Sequence, residues 1–274
     1  MIVFPNAKIN LGLKILHCRE DGYHNIETLF LPIGLKDILE IVPAAGDEIS
    51  LTVTGLSVGG ALEENLVYRA ARLMQKSYGT PGVRMHLHKR IPLGAGLGGG
   101  SSDASFALKL INRIFALGQD EEALKVHAAS LGSDCPFFLV NRPMLGTGTG
   151  GVLTPVELPA LDTLKVMVVK PAIHIATAEA YAGVSPDAAA VPLMSLVKTP
   201  PSQWRELFTN DFEPHLFATY PQLGVIKEKL YRQGAVYASM SGSGAALYGF
   251  FHHLPDHPED LFPDCFVWQA ERVL

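Results

Sequence analysis

Pro92-Leu93-Gly94-Ala95-Gly96-Leu97-Gly98-Gly99-Gly100-Ser101-Ser102-Asp103 is the stretch on which the fold turns. Five glycines in seven residues strip away side chains, so backbone N–H groups can close around a bulky anion. Directly afterwards Ala104, Phe106, Ala107, Leu110, Ile111 and Ile114 recur at helical spacing, so the loop opens a helix. A helix N-terminus adds unpaired N–H donors and partial positive charge, both suited to phosphate. Val83, Met85 and Leu87 alternate ahead of the loop as a strand. Strand, glycine loop and helix in that order point to nucleotide binding.

Three readings of the loop compete at this level. Gly94-x-Gly96-x-x-Gly99 satisfies the dinucleotide fingerprint, but clustered glycines produce such matches cheaply, and no regular βαβ repetition surrounds it. A Walker A loop would end in Gly-Lys-Ser/Thr, which is missing here. A bland tight connection remains the third reading. The exit Ser101-Ser102-Asp103 weighs against it: these residues suit a helix start, and the hydroxyls face the phosphate position, where Ser101 or Ser102 can ligate a metal.

Working outward, Ile9, Leu11, Leu13 and Ile15 alternate with polar or small residues as a half-buried strand. Further strands are expected over residues 25–33, 36–42 and 48–53. Asn65 opens a helix with Leu66, Ala70, Leu73 and Met74 on one face and Gly79 as its stop. After the glycine-loop helix and a second helix, Pro136 to Val140 reads as a short apolar strand. Residues 141–159 are rich in Gly, Thr and Pro without a period, so a domain junction is placed there, giving domains 1–155 and 156–274. Beyond it come a strand at Leu164–Val168, a helix around Ala176–Tyr181, a helix from Pro221 stopped by Gly234, and strands flanking a second glycine cluster. The irregular mixture of helices and antiparallel-looking strands indicates an α+β fold.

Composition narrows the class. The chain has 274 residues, 48% of them hydrophobic and 18% charged, which is the balance of an ordinary globular protein. A net charge of −5 argues against a nucleic-acid surface. No apolar run reaches the roughly 20 residues of a membrane helix. Asn6, Lys8 and Asn10 interrupt any leader-like start, so no signal peptide and a cytoplasmic location are expected. Cys18, Cys135 and Cys265 are scattered and odd in number, which fits a reducing compartment rather than a disulfide or zinc framework. The pair His86-x-His88 and the group His252, His253 and His257 lack companion ligands at metal spacing.

Three segments in order carry a resemblance: Pro5-Asn6-Ala7-Lys8-Ile9-Asn10-Leu11, the glycine loop with Ser101-Ser102-Asp103, and Met240-Ser241-Gly242-Ser243-Gly244-Ala245. Together they are similar to the motifs of the GHMP kinase superfamily, the small-molecule kinases that include galactokinase, homoserine kinase and mevalonate kinase. Asp21-Gly22-Tyr23-His24, Glu64-Asn65-Leu66, Gly132-Ser133-Asp134-Cys135-Pro136-Phe137-Phe138 and Asn210-Asp211-Phe212-Glu213 resemble one branch of it. That branch phosphorylates the 2-hydroxyl of a cytidine-diphosphate sugar alcohol in isoprenoid precursor synthesis. The chain departs from the branch at Cys135, where Val or Ile is usual, and at Gly151, where an acid is usual.

The resemblance implies a two-domain fold: an N-terminal ATP-binding domain like domain 2 of ribosomal protein S5, then a ferredoxin-like C-terminal domain. It also implies ATP as co-substrate, with Mg²⁺ bridging its phosphates. Asp134 is then the acceptor of the hydroxyl proton, although a lone Asp at a turn ordinarily caps backbone. Lys8 is its partner cation, although a solvated lysine on a strand face is the ordinary alternative. Residues 92–102 bind the triphosphate, with Asn65 and Lys89 on the adenine side. Asn10, Gly242 and Ser243 face the acceptor. Tyr23, His24 and Tyr181 form an aromatic sandwich for cytosine. Another GHMP kinase, of the homoserine or mevalonate type, and a nucleotide sensor without catalysis remain open at this level.

Overall fold

The structure is a computed structural model that describes residues 1–273. Its first strands are β1 (Ile2–Val3), β2 (Asn6–Cys18), β3 (His24–Lys36), β4 (Ile38–Pro43) and β5 (Ile49–Gly55). Helix α1 (Leu66–Tyr78), β6 (Val83–Lys89), α2 (Gly99–Ile114), α3 (Glu121–Leu131) and α4 (Cys135–Val140) follow. The remaining strands are β7 (Met144–Thr147), β8 (Val152–Pro155), β9 (Lys165–Pro171), β10 (Tyr237–Met240), β11 (Leu247–Phe251) and β12 (Cys265–Ala270), with helix α5 at Thr177–Ala182 and further helices at Glu213–Thr219 and Pro221–Arg232.

The chain divides into two compact units that are discontinuous in sequence. The first comprises Met1–Ala7, Leu35–Leu93 and Gly98–Arg142; the second comprises Lys8–Gly34, Gly94–Leu97 and the chain from Pro143 onward.

In the first unit a four-stranded sheet runs β1-β4-β6-β5, antiparallel except for the parallel pair β5–β6. Strand β6 alternates strictly: Val83, Met85, Leu87 and Lys89 are buried, while Arg84 and His86 are exposed. Its inner face packs with Val67, Ala70 and Met74 of α1 and with Ala104, Ala107, Leu108 and Ile111 of α2 in one core. The ends of α1 follow local chemistry. The Asn65 side chain accepts a hydrogen bond from Val67 N, and Gly79 closes the helix in the left-handed region at φ 65°.

The second unit holds two four-stranded sheets, ordered β2-β3-β7-β8 and β10-β11-β9-β12, with antiparallel pairing at β3–β7, β7–β8, β10–β11, β11–β9 and β9–β12. Met167 and Val169 of β9 and Leu247 of β11 pack with Leu223, Ile226 and Leu230 of the helix Pro221–Arg232.

One expectation fails here. Residues 136–140 are helical, not a strand: α4 takes Pro136 in its first turn, where the missing N–H has no intrahelical partner to lose. The stretch 141–159, expected as a domain junction, carries regular structure. It contains the hairpin β7–β8, whose turn uses Gly148 (φ 65°) and Gly150 (φ 97°) in conformations only glycine adopts easily.

Candidate active site

Within the first unit the loop leaving β6 enters α2 through Gly98, which holds φ 69° as the residue before the first helical turn. The helix start is therefore a glycine without a side-chain cap, not the Ser101-Ser102-Asp103 exit, which falls inside the helix. That leaves backbone N–H groups at the helix start uncovered by side chains, in the arrangement that favours an anion. Ser101 is partly exposed, whereas the Ser102 hydroxyl is enclosed and has no hydrogen-bond partner. Among the described residues no group of three His, Cys, Asp or Glu side chains could hold a metal on its own. A sparse donor set suits Mg²⁺, which keeps waters and substrate phosphates as most of its ligands. His86 and His88 both hydrogen-bond the Thr54 hydroxyl, at 2.9 and 3.0 Å.

Behind this helix start lies a buried charged triad. Lys89 Nζ bonds to Asp37 Oδ2 and, at 2.7 Å, to Asp103 Oδ2. Asp37 Oδ1 also accepts from Arg90 N (2.5 Å) and Ile91 N (2.8 Å). Burial pushes the Asp103 carboxyl up to about 8, against the pull of Lys89, and Asp37 adds to the rise. Burial also disfavours the Lys89 ammonium, but Asp103 and Asp37 outweigh it and hold the group above the usual lysine value. One side of the triad opens on a cavity of about 180 Å³. Val58, Leu66, Leu87 and Leu93 supply apolar walls, and Glu64, Asn65, Lys89, Asp103 and two glycines, Gly59 and Gly100, line the rest. The two residues expected on the adenine side therefore share one cavity, beside a glycine of the loop. Because Asn65 spends its oxygen on the α1 cap, its amide NH₂ is the group left to donate.

Asp134 lies between α3 and α4, at φ −84° and ψ −14°, and its side chain does not cap α4. Its flanks are two helices, where the sequence suggested a helix and a strand. The neighbouring Cys135 is fully buried, and burial pushes its thiol up to about 11, so it is a packing residue.

The second unit supplies the other groups. Lys8 is buried, with its ammonium donating to Asn10 Oδ1 at 2.6 Å and lying 5.4 Å from the centre of the Phe30 ring. It is not a solvated lysine. The i, i+2 spacing on β2 puts both side chains on one face. Asn10 then donates to Thr28 Oγ1 (3.0 Å), which donates to Gly12 O (2.6 Å). Ser241 Oγ donates to Gly96 O at 2.9 Å, and a Cβ on Gly96 would overlap the Ser241 carbonyl oxygen. The first glycine turn and the second therefore touch backbone to backbone, which requires glycine at 96. The second turn is fastened from outside: Asn210 Nδ2 donates to Met240 O (2.8 Å) and Gly242 O (2.9 Å), and Glu213 accepts from Met240 N (2.8 Å). Gly242 is buried here and Ser243 partly exposed.

Of the three aromatic residues, the structure brings two together. His24 and Tyr181 stack at 4.8 Å with 24° between their planes. Rings in mutual contact leave no gap for a base, which needs about 7 Å between two faces, and Tyr181 also meets Phe212 edge-on at 4.9 Å. Tyr23 sits in the turn before β3, 66% exposed. Asp37, Thr28, Ser241 and Glu213 were not singled out from sequence. Two of them lay in quoted motifs without a role of their own, Ser241 in Met240–Ala245 and Glu213 in Asn210–Glu213.

Comparisons with known proteins show what the chain is similar to. A family described as GHMP kinases N terminal domain matches residues 65–142, and one described as GHMP kinases C terminal matches residues 195–260. The 4-diphosphocytidyl-2-C-methyl-D-erythritol kinase of Bacteroides thetaiotaomicron is 46% identical over 266 residues, covering 96% of this chain and 95% of its own. That of Porphyromonas gingivalis is 47% identical over 278 residues, covering 98% and 99%. A crystal structure of a 4-(cytidine 5'-diphospho)-2C-methyl-D-erythritol kinase superposes with a TM-score of 0.82 at 33% identity, over 98% of each chain.

Proposed function

Because the chain belongs to the GHMP kinases, on the branch of the 4-diphosphocytidyl-2-C-methyl-D-erythritol kinases, we propose that it moves the γ-phosphoryl group of ATP to the 2-hydroxyl of that cytidine-diphosphate sugar alcohol. The products are the 2-phosphate and ADP, and the step serves non-mevalonate isoprenoid synthesis. The observation that carries the residue-level reading is the buried Lys8–Asn10 pair. It is a cation taken out of water and aimed by an amide, on a strand whose face also meets the second glycine turn through Ser241.

Phosphoryl transfer asks the protein for position and charge rather than covalent chemistry. Asp134 takes the proton from the 2-hydroxyl as the oxygen attacks phosphorus. Lys8 offsets the negative charge on the transferring group. The uncapped start of α2 and residues 92–102 hold the triphosphate, and the cavity lined by Asn65 and Lys89 takes the adenine. Asn10, Gly242 and Ser243 position the acceptor. Cytosine stacks on Tyr23 and on the outer face of the His24–Tyr181 pair. The Ser101 hydroxyl would be the protein oxygen to hold Mg²⁺, which when bound would supply charge to offset the phosphates.

Small molecules are the partners in this reading. The net charge of −5 argues against a nucleic-acid surface, and among the described residues no helix is long and apolar enough to cross a membrane. We place the reaction in the cytoplasm.

The deciding assay measures ADP release with 4-diphosphocytidyl-2-C-methyl-D-erythritol, homoserine and mevalonate offered in parallel. Turnover with the first alone is expected. Asp134→Ala should lower kcat by about 10³-fold or more while the protein stays folded. Near-normal turnover in that variant would remove Asp134 as the base, and binding of both ligands without ADP release would make the chain a sensor.

A further inference from the structure

A second cavity, of about 460 Å³, lies in the first unit and is lined by none of the residues assigned above. Its size falls within the range of small-molecule sites. Phe106, Leu124 and Leu139 form apolar walls, and Lys109, Arg113 and Glu121 bring charge to it. The charges do not balance. Lys109 and Arg113 are four residues apart on α2, so two cations share one helix face and repel each other. The Lys109 ammonium turns to a neutral acceptor, the Leu139 carbonyl, at 3.0 Å, and lies 5.4 Å from the Phe106 ring. Burial lowers its pKa, and Glu121 offsets that only in part. Glu121 is meanwhile paired with Lys125 at 3.0 Å. Arg113 has no ion pair or side-chain hydrogen bond among the described residues.

We propose that this cavity binds a small amphipathic anion, with a carboxylate or phosphate-monoester head between Lys109 and Arg113 and an alkyl body against Phe106, Leu124 and Leu139. An anionic head relieves the repulsion between the two cations and gives the Lys109 ammonium a charged acceptor in place of a carbonyl. The apolar walls then contribute through area removed from water. Neither ion alone nor hydrocarbon alone satisfies both halves of the cavity. The inference does not depend on the kinase reading, because none of these residues takes part in it.

Titration of the full-length chain with octanoate, octyl phosphate, 1-octanol and octylamine, followed by calorimetry and by NMR shifts of the Leu124 and Leu139 methyl groups, tests it. Both anions should bind one to one, the alcohol about tenfold more weakly, and the amine not measurably. The tighter of the two anions identifies the head group. Lys109→Met together with Arg113→Met should weaken the anions by about tenfold and leave the alcohol unchanged. Glu121→Gln, which keeps the shape and removes a carboxylate, should tighten the anions. Saturating ATP should leave binding in place. Equal affinity for alcohol and octanoate, anion binding untouched in the double variant or weakened in Glu121→Gln, or displacement by ATP would each overturn the assignment.

Discussion

Lys8 and Lys89 are buried to almost the same depth, at 3% and 2% exposure, but the groups around them differ in kind. Lys89 stands between two carboxylates, Asp37 and Asp103, one of which is also fixed by two backbone N–H groups. Lys8 reaches an amide oxygen, Asn10 Oδ1, and the face of Phe30, and Asn10 leads on to Thr28 and Gly12. A carboxylate cancels an ammonium where it stands. An amide oxygen orients an ammonium through a single directed bond. Equal burial therefore does not give two lysines the same surroundings.

The largest expected effect separates the two lysines by stability. Lys89→Met leaves buried carboxylate charge without its cation and should destabilise the fold by about 3–5 kcal/mol in urea titrations. A loss below about 1 kcal/mol would mean that the triad is not holding the first unit together. Lys8→Met comes next and should show in kinetics instead. It removes the cation held by Asn10 Oδ1, so kcat should drop by about 10²–10³-fold with a much smaller change in the KM for ATP. If Lys8→Met unfolded as readily as Lys89→Met and the surviving folded fraction turned over normally, the contrast would collapse and both lysines would be scaffold.

The parts of this architecture written in neighbouring residues were legible in advance. Asn65 before an apolar helical period and Gly79 after it mark α1, because capping is local chemistry. The glycine loop and its helix are local too. The segment 135–140 was not: its residues are nearly all buried, so it has no period to separate helix from strand, and a proline that looks like a barrier is harmless in a first turn. The hairpin β7–β8 was hidden because its strands are four residues each and its turn glycines read as a linker. At the site, Asp37 is 52 residues from Lys89, and nothing around a lone acid announces a partner so distant. A still longer separation hid the contact of His24 with Tyr181, which turns an expected sandwich into a single stacked pair. Lys8, Asp134 and the cytosine residues were legible only through their resemblance to the GHMP kinases.

The smallest expected effect sharpens the contrast most, because it tests how the Lys89 triad balances its charge. In the unfolded chain the Asp103 carboxyl titrates near its ordinary 3.8, whereas in the fold burial raises it to about 8. Between those values the folded chain keeps a proton that the unfolded chain has released. The stability linked to Asp103 is therefore complete below about pH 4, declines as pH rises, and is gone once pH passes about 8. Asp103→Asn keeps an oxygen for Lys89 and cannot ionise, so unfolding free energies measured from pH 5 to pH 9 should lose that downward slope, and the variant should overtake the parent chain at the alkaline end. A slope of the same steepness in Asp103→Asn would show that Asp103 is ionised in the fold and that Lys89 neutralises two charges rather than one. A flat line would confine the proton to Asp103, leaving Lys89 and Asp37 as a closed ion pair.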